Sequence, residues 1–335
     1  MIARITRLIL LVQLLVTAGI YFLLKKAFGI DNPGVALAAS IGSVLLIRMF
    51  ITFNNFVLAR RYRSELPLHF RIGWWQACRL FLTEFKATMT SSSWTMPFRT
   101  FTRRNPHDPE GLPVLLIHGY GCNSGYWHSM SKALVQAKIV HYAVDMEPVI
   151  GGIDEYVPII HEAIERISNE TGHDKVILVG HSMGGLVARA YLRVHGSERI
   201  AKVITLGTPH HGTGLAHFGV GLNTQQMRWT ATEQEGLASD WLRDLAASEG
   251  ADIYRLFVSI YSHHDNIISP QRSSHLAGAK NIEFHAIGHV ALGLDPVIQA
   301  QVIREIRRAS RVRKPPIKMR ATKEAVRNAS PLKIV

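Results

Sequence analysis

Five residues, Gly180-His181-Ser182-Met183-Gly184, constrain this chain more than any other stretch of it. An apolar run, Lys175-Val176-Ile177-Leu178-Val179, precedes them and reads as a buried strand, and Gly185 to Val194 follows with the character of a helix. Strand, Gly-x-Ser-x-Gly, helix is the sequence form of a nucleophile elbow. The turn needs small residues because the serine backbone is strained and the strand and helix approach closely, which gives Gly180, Gly184 and Gly185 a steric reason. The strain lifts the Ser182 hydroxyl to the end of a sheet, within reach of a substrate. A bare Gly-x-Ser-x-Gly also occurs by chance, and it is the flanking strand and helix that favour a catalytic serine.

From Pro113 onward strand and helix alternate. Residues 113–118, 140–145, 175–180, 202–207, 254–261 and 281–287 are short β-rich runs. Helical stretches are expected over 126–137, 153–169, 186–195 and 296–308. Repeated β-α alternation with buried strands predicts an α/β architecture, a doubly wound, mostly parallel sheet with helices on both faces.

The N-terminus is of another kind. Leu8 to Leu24 is a 17-residue run with only Gln13 and Thr17 as polar interruptions, bracketed by Arg4, Arg7 and by Lys25, Lys26. It is long enough to span a bilayer and lacks a small-residue cleavage site before the basic pair, so an uncleaved anchor is expected. A second apolar stretch, Val35 to Ile47, continues towards Ala59 but is interrupted by Arg48 and Asn54-Asn55. With Asp31-Asn32-Pro33-Gly34 as the turn the two form a helical hairpin; a buried or interfacial helix is the other reading of the second segment. Arg4 and Arg7 before the first span, and Arg60, Arg61, Arg63 and Arg71 after the second, favour a hairpin with both ends in the cytoplasm. Were only the first segment to span, the rest of the chain would lie outside.

Residues 71–88 carry Trp74, Cys78, Phe81 and Phe85 at helical spacing, with Trp75 and Leu82 alongside and Arg71, Arg79 and Lys86 interspersed. This suits a helix lying among lipid headgroups and equally a helix packed on the following domain. Residues 88–109 read as a polar linker. The organisation is therefore a membrane anchor over 1–60, an interfacial helix and linker over 61–110, a catalytic domain over 111–308, and a basic disordered tail over 309–335.

Charge follows these divisions. Residues 1–110 carry a net +9, residues 111–303 a net −5 and residues 304–335 a net +9. The acidic centre argues against specific nucleic-acid binding, and the basic flanks suit an anionic leaflet, with RNA the less favoured partner. Cys78 and Cys122, the only cysteines, have neither disulfide-framework nor metal-ligand spacing, and they are compatible with a reducing compartment.

A serine hydroxyl becomes nucleophilic when a base takes its proton. His289, in Gly288-His289-Val290 directly after the last β-rich run, is the candidate base; His275 and His285 are its rivals. The carboxylate that orients the imidazole is expected to be Asp265, which completes the chain order Ser, Asp, His. Asp252 lies before its strand and Asp295 starts the last helix. His263-His264-Asp265 also admits a metal-site reading, but no partner cluster has recognisable spacing, so neither metal nor cofactor is expected. An oxyanion needs two preorganised donors. The Met183 N–H is one, and the Tyr120 N–H, in His118-Gly119-Tyr120-Gly121 after the first core strand, is the other. His118 and His181 are read as structural.

Leu116-Ile117-His118-Gly119-Tyr120-Gly121, Gly180-His181-Ser182-Met183-Gly184-Gly185, Gly207-Thr208-Pro209-His210-His211-Gly212-Thr213 and Gly288-His289 together resemble the bacterial lipase/esterase branch of the α/β-hydrolase superfamily. The resemblance covers roughly residues 112–308. It implies that fold, a Ser-His-Asp carboxylic-ester hydrolase working through an acyl-enzyme, and a cap over the site, for which residues 214–250 are available. Leu215, Phe218, Leu222, Met227, Trp229, Leu237, Trp241 and Leu242 would line such a cap; helices completing the core are the plainer reading. Secreted lipases of this kind often hold calcium through an aspartate two residues after the histidine. That position is Ala291 here. The expected partners are a lipid or other acyl-ester substrate and a membrane, with the chain in a bacterial inner membrane and its catalytic domain cytoplasmic. Acyl transfer or thioester hydrolysis by the same triad, and a non-catalytic scaffold on the same fold, are the competing readings.

Overall fold

The computed structural model describes residues 1–230 and 237–311. Two long helices come first, α1 (Ile2–Lys26) and α2 (Pro33–Arg60), packed side by side. Asn32 starts α2 by accepting the N–H groups of Gly34 and Val35, with Pro33 at the first helical position, where its missing donor costs nothing. The Asn54-Asn55 pair does not break α2, which runs on to Arg60. Both helices are long and apolar enough to cross a membrane.

Helix α3 (Trp74–Thr90) follows, then a five-residue π-helical turn over Ser91–Thr95 and a single turn, α4 (Met96–Phe98). The polar linker expected over 88–109 is therefore largely ordered: Ser91, Thr95, Met96 and Phe101 are buried, and Arg103–Arg104 forms a short strand, β1. Serine and threonine disguised this stretch, because their hydroxyls can bond within a helix. Ser92 Oγ donates to the Thr88 carbonyl at 2.7 Å.

The remaining strands are β2 (Val114–Ile117), β3 (His141–Val144), β4 (Val176–His181), β5 (Ile200–Leu206), a small ribbon of β6 (Trp229–Thr230) with β7 (Leu237–Ala238), then β8 (Phe257–Ser262) and β9 (Lys280–Phe284). The main sheet has the order β1-β3-β2-β4-β5-β8-β9. Only β1 is antiparallel to its neighbour. Between the strands come α5 (His128–Gln136), α6 (Val157–Thr171), α7 (Met183–His195), α8 (Leu222–Gln226), α9 (Asp240–Ser248) and α10 (Ala251–Tyr254), and α11 (Pro296–Arg311) closes the fold.

Alternate residues of each strand feed two cores. Leu115, Ile117, Leu178 and Val203 pack with α6 and α7 on one face. Val114, Leu116, Val179 and Ile204 pack with α5 and α11 on the other. Burial on both faces is why these strands read as continuous apolar runs.

The segment after β5 holds a 3-10 turn over Gly214–Phe218, then α8, the ribbon and α9. Its apolar residues divide. Met227 and Leu242 are buried, whereas Phe218 and Leu222 are 58% and 48% exposed. The side chain of Leu237 and most of the basic tail (312–335) lie outside the described residues.

On α3 the expected apolar stripe splits in the same way. Phe81 meets Phe53 and Phe56 of α2 edge-on, while Trp74 and Trp75 are 75% and 83% exposed. The helix is packed along one side and presents its tryptophans outward.

Candidate active site

Ser182 stands between β4 and α7 with φ 55° and ψ −124°, a positive φ that costs a non-glycine residue energy and persists only when its surroundings enforce it. Here they do. The Ser182 N–H donates to the Leu206 carbonyl at 2.9 Å, and the Ser182 carbonyl accepts the Thr208 hydroxyl at 2.9 Å. A Cβ at Gly184 would lie 2.2 Å from the Ile117 carbonyl oxygen, and one at Gly180 would lie 2.6 Å from the Gly185 nitrogen. Both glycines are dictated by backbone approaching backbone.

Asp265 and His289 come together from the loops after β8 and β9. His289 Nδ1 donates to Asp265 Oδ2 at 2.8 Å, and both residues are buried. The other carboxylate oxygen, Oδ1, accepts the N–H groups of Ile267 and Ile268 at 2.8 and 2.7 Å, so the loop fixes the carboxylate and the carboxylate fixes the imidazole. With Nδ1–H committed to Asp265, Nε2 keeps the free lone pair. Burial pulls the His289 pKa down, the adjacent Asp265 carboxylate pulls it up, and the net direction is upward from 6.5. Gly207 completes the corner, since a Cβ there would lie 3.0 Å from Asp265 Oδ2 and 3.3 Å from His289 Nδ1. Among the described residues Ser182 Oγ has no hydrogen-bond partner; catalytic contacts of this kind commonly tighten only when substrate is bound.

The rival residues lie elsewhere or are otherwise engaged. Asp252 is 88% exposed in an ion pair with Arg255. Asp295 accepts the N–H groups of Val297 and Ile298 at the start of α11. The His275 carbonyl is bonded to His211, and the His285 ring lies against Phe70.

His118 and His181 are engaged with the backbone around the site. His118 donates from Nδ1 to the Gly119 carbonyl at 2.8 Å and accepts the Met146 N–H on Nε2 at 3.0 Å. His181 donates from Nε2 to the His289 carbonyl at 3.0 Å and stacks on Tyr126. Burial lowers the pKa of both, which keeps each imidazole neutral with one donor and one acceptor nitrogen.

The loop holding Tyr120 runs beside the serine, for a Cβ on Gly119 would lie 2.9 Å from Ser182 Cβ. Met183 opens α7, where the helix itself offers its N–H no acceptor. The Tyr120 hydroxyl donates to the Val220 carbonyl at 2.8 Å, joining this loop to the segment after β5. Around that joint Ile150, Phe218, Val220 and Leu222 are exposed, and the Leu222 N–H meets the Ile150 carbonyl at 3.0 Å.

One neighbour of the site was not visible in the sequence. Glu84, on α3, is fully buried and bonds the backbone just after His289. No motif marks it, and its partners are backbone amides about two hundred residues away. Among the described residues no group of His, Cys, Asp and Glu is arranged to hold a metal ion.

The family comparison settles the class. The PGAP1-like alpha/beta domain family matches residues 108–292. This chain belongs to that family.

The domain is similar to the pimeloyl-[acyl-carrier protein] methyl ester esterase of Aeromonas hydrophila, 33% identical over 104 residues that make up 30% of this chain and 39% of that protein. It is also similar to a triacylglycerol lipase of Pseudarthrobacter phenanthrenivorans, 29% identical over 114 residues, 32% of this chain and 35% of the relative. The chain thus spans less than two-fifths of the length of these relatives. Among solved structures, the mature Bacillus licheniformis lipase BlEst2 shares the fold with a TM-score of 0.52 at 15% identity, over 62% of this chain and 97% of that one. Aspergillus fumigatus lipase B does so with a TM-score of 0.51 at 16% identity, over 62% of this chain and 56% of that one. The PGAP1-like domain therefore has the α/β-hydrolase fold, and its relatives are lipases and esterases.

Proposed function

We propose that this chain is a membrane-anchored serine ester hydrolase acting on lipid or other acyl esters. The observation that carries the reading is the buried Asp265–His289 hydrogen bond at the same sheet edge as a serine held at positive φ. His289 Nε2 takes the Ser182 proton as Oγ attacks the ester carbonyl. The imidazolium is stabilised by Asp265, and the oxyanion by the N–H groups of Tyr120 and Met183. His289 returns the proton to the departing alcohol, leaving an acyl-enzyme that water hydrolyses by the same steps.

The substrate class is supported by the exposed apolar rim of Ile150, Phe218, Val220 and Leu222 above Tyr120, which suits an acyl chain better than a small polar ester. The placement of the anchor supports it too. The Met1 ammonium meets Glu147 in the loop after β3, and the Ser269 hydroxyl, in the loop after β8, donates to the Ala59 carbonyl at 2.7 Å. Both outer ends of the α1–α2 hairpin thus lie against the carboxyl edge of the sheet, where Ser182 stands, and a bilayer ester would have a short path to it. Both ends on one side, with the basic residues flanking them, favour a hairpin of two spans over residues 1–60 and a catalytic domain over 111–308 on the cytoplasmic face. Residues 214–250 act as the cap. The relatives are lipases and esterases, which gives acyl transfer no independent support, and occupied triad positions count against a silent scaffold.

Fluorophosphonate labelling of the membrane fraction tests the reading. Wild type is expected to label, and Ser182→Ala to lose both labelling and ester hydrolysis, by about 10⁶-fold in kcat. Labelling that persists in Ser182→Ala places the nucleophile elsewhere.

A further inference from the structure

Glu84 lies on α3, the helix that enters the domain from the anchor, and is 1% exposed. Its Oε1 accepts the Val290 N–H at 2.9 Å and its Oε2 the Ala291 N–H at 3.0 Å. A Cβ on Gly288 would lie 2.4 Å from Oε2, so the absence of a side chain there lets the carboxylate sit against the loop. The backbone on both sides of His289 is thus fitted to one acidic group. Among the described residues Glu84 makes no salt bridge. A buried carboxylate without a cation is costly, and here burial outweighs the two N–H bonds and raises its pKa.

We infer that Glu84 is a positioning residue for His289. Holding the two amides that follow the imidazole, it fixes the loop so that Nδ1 stays on Asp265 and leaves Nε2 for the Ser182 proton that the triad reading assigns to it. Bonds from the sheet domain hold His289 too: its N–H donates to Asn266 Oδ1 at 2.9 Å, and its carbonyl accepts from His181. Glu84 alone comes from outside the sheet domain. Its helix packs Phe81 on α2 and sets Trp74 and Trp75 outward, so the seating of the base depends on an element carried by the membrane anchor. The inference rests on the triad reading given above.

The titratable groups facing the His289 imidazole are the Asp265 carboxylate, the Glu84 carboxyl and the neutral His181 ring, 4.6 Å away between centroids. The Tyr126 hydroxyl, which donates to the Val290 carbonyl and accepts the Gly293 N–H, stays protonated because burial raises its pKa.

The test uses the full-length protein in detergent micelles with p-nitrophenyl butyrate as substrate, comparing wild type, Ser182→Ala, Glu84→Gln and Glu84→Asp. Glu84→Gln keeps the shape but sets an NH2 group against a backbone N–H. Its kcat is expected to fall about 10²-fold with KM unchanged, the scale of a misplaced catalytic group. The acid limb of its kcat/KM profile is expected to move to lower pH, because a carboxylate favouring the imidazolium is gone. Glu84→Asp, which keeps the charge on a shorter reach, is expected to recover part of kcat and leave the limb in place. Wild-type kcat and an unmoved limb in folded Glu84→Gln would overturn the inference. Should Glu84→Gln fail to fold, Glu84→Asp decides: a fall in kcat of about 10-fold at unchanged KM supports the role, and wild-type kcat overturns it. Activity that survives in Ser182→Ala removes the triad reading and the Glu84 role with it, whereas Ser182-dependent activity indifferent to Glu84 removes the latter alone.

Discussion

Strand β4 and helix α1 are both strongly apolar, yet all six residues of β4 are buried, whereas Leu14 and Leu15 of α1 are 66% and 62% exposed. A strand must find hydrogen-bond partners in its neighbours, and β4 lies between β2 and β5 with helices over both faces. A helix satisfies its own backbone, so α1 needs only an apolar surrounding, which a bilayer would supply. The same hydrophobic composition is thus spent inside the protein in one region and on its outside in the other. The two regions meet through ring contacts, Tyr62 on Trp229 and Phe70 on His263, and through polar ones. Arg7 Nε donates to the Pro97 carbonyl at 2.8 Å, Arg48 reaches Ser92, the Ser269 hydroxyl donates to the Ala59 carbonyl, and Glu84 reaches the His289 loop.

If the sheet region holds the chemistry, Asp265→Asn should lower kcat by about 10⁴-fold, because the amide admits the wrong imidazole tautomer. Ester hydrolysis at saturating substrate measures this, and near-normal turnover would break the division of labour between the two regions. Leu178→Ala in β4, where the side chain is fully buried, should cost about 2–5 kcal/mol of stability. Leu14→Ala in α1 should stay within about 0.5 kcal/mol of wild type. Denaturant titration in micelles compares the two, and equal losses would mean that α1 is packed in a core after all. The smallest effect is in pH. Since the His289 pKa is raised from 6.5 and a general base must be neutral, kcat/KM should climb with rising pH through a limb above that value. A limb below it would mean that desolvation, not Asp265, dominates the imidazole.

The residues of the candidate site stand out in the sequence because a nucleophile elbow imposes local patterns. The elbow declares itself through glycines pressed against neighbouring backbone, and Asp265 and His289 follow predicted strands, although Asp252, Asp295, His275 and His285 are rivals on the sequence alone. The rims of the elements were less legible. β1 has just two residues and owes its existence to pairing with β3, and the stretch over 88–109 looked like a linker because its burial comes from contacts with distant segments.

Ser182, its glycines, the alternation of strand and helix, and the two long apolar helices follow from the amino-acid sequence alone, since each depends on neighbours a few positions away. Tertiary structure decided the rest. It set Asp265 and His289 into one buried pair, laid the N-terminal helical hairpin against the carboxyl edge of the sheet, and brought Glu84 to amides about two hundred residues further along. A carboxylate bonded to backbone N–H groups leaves no complementary side chain to find, and only the folded chain reveals the partner.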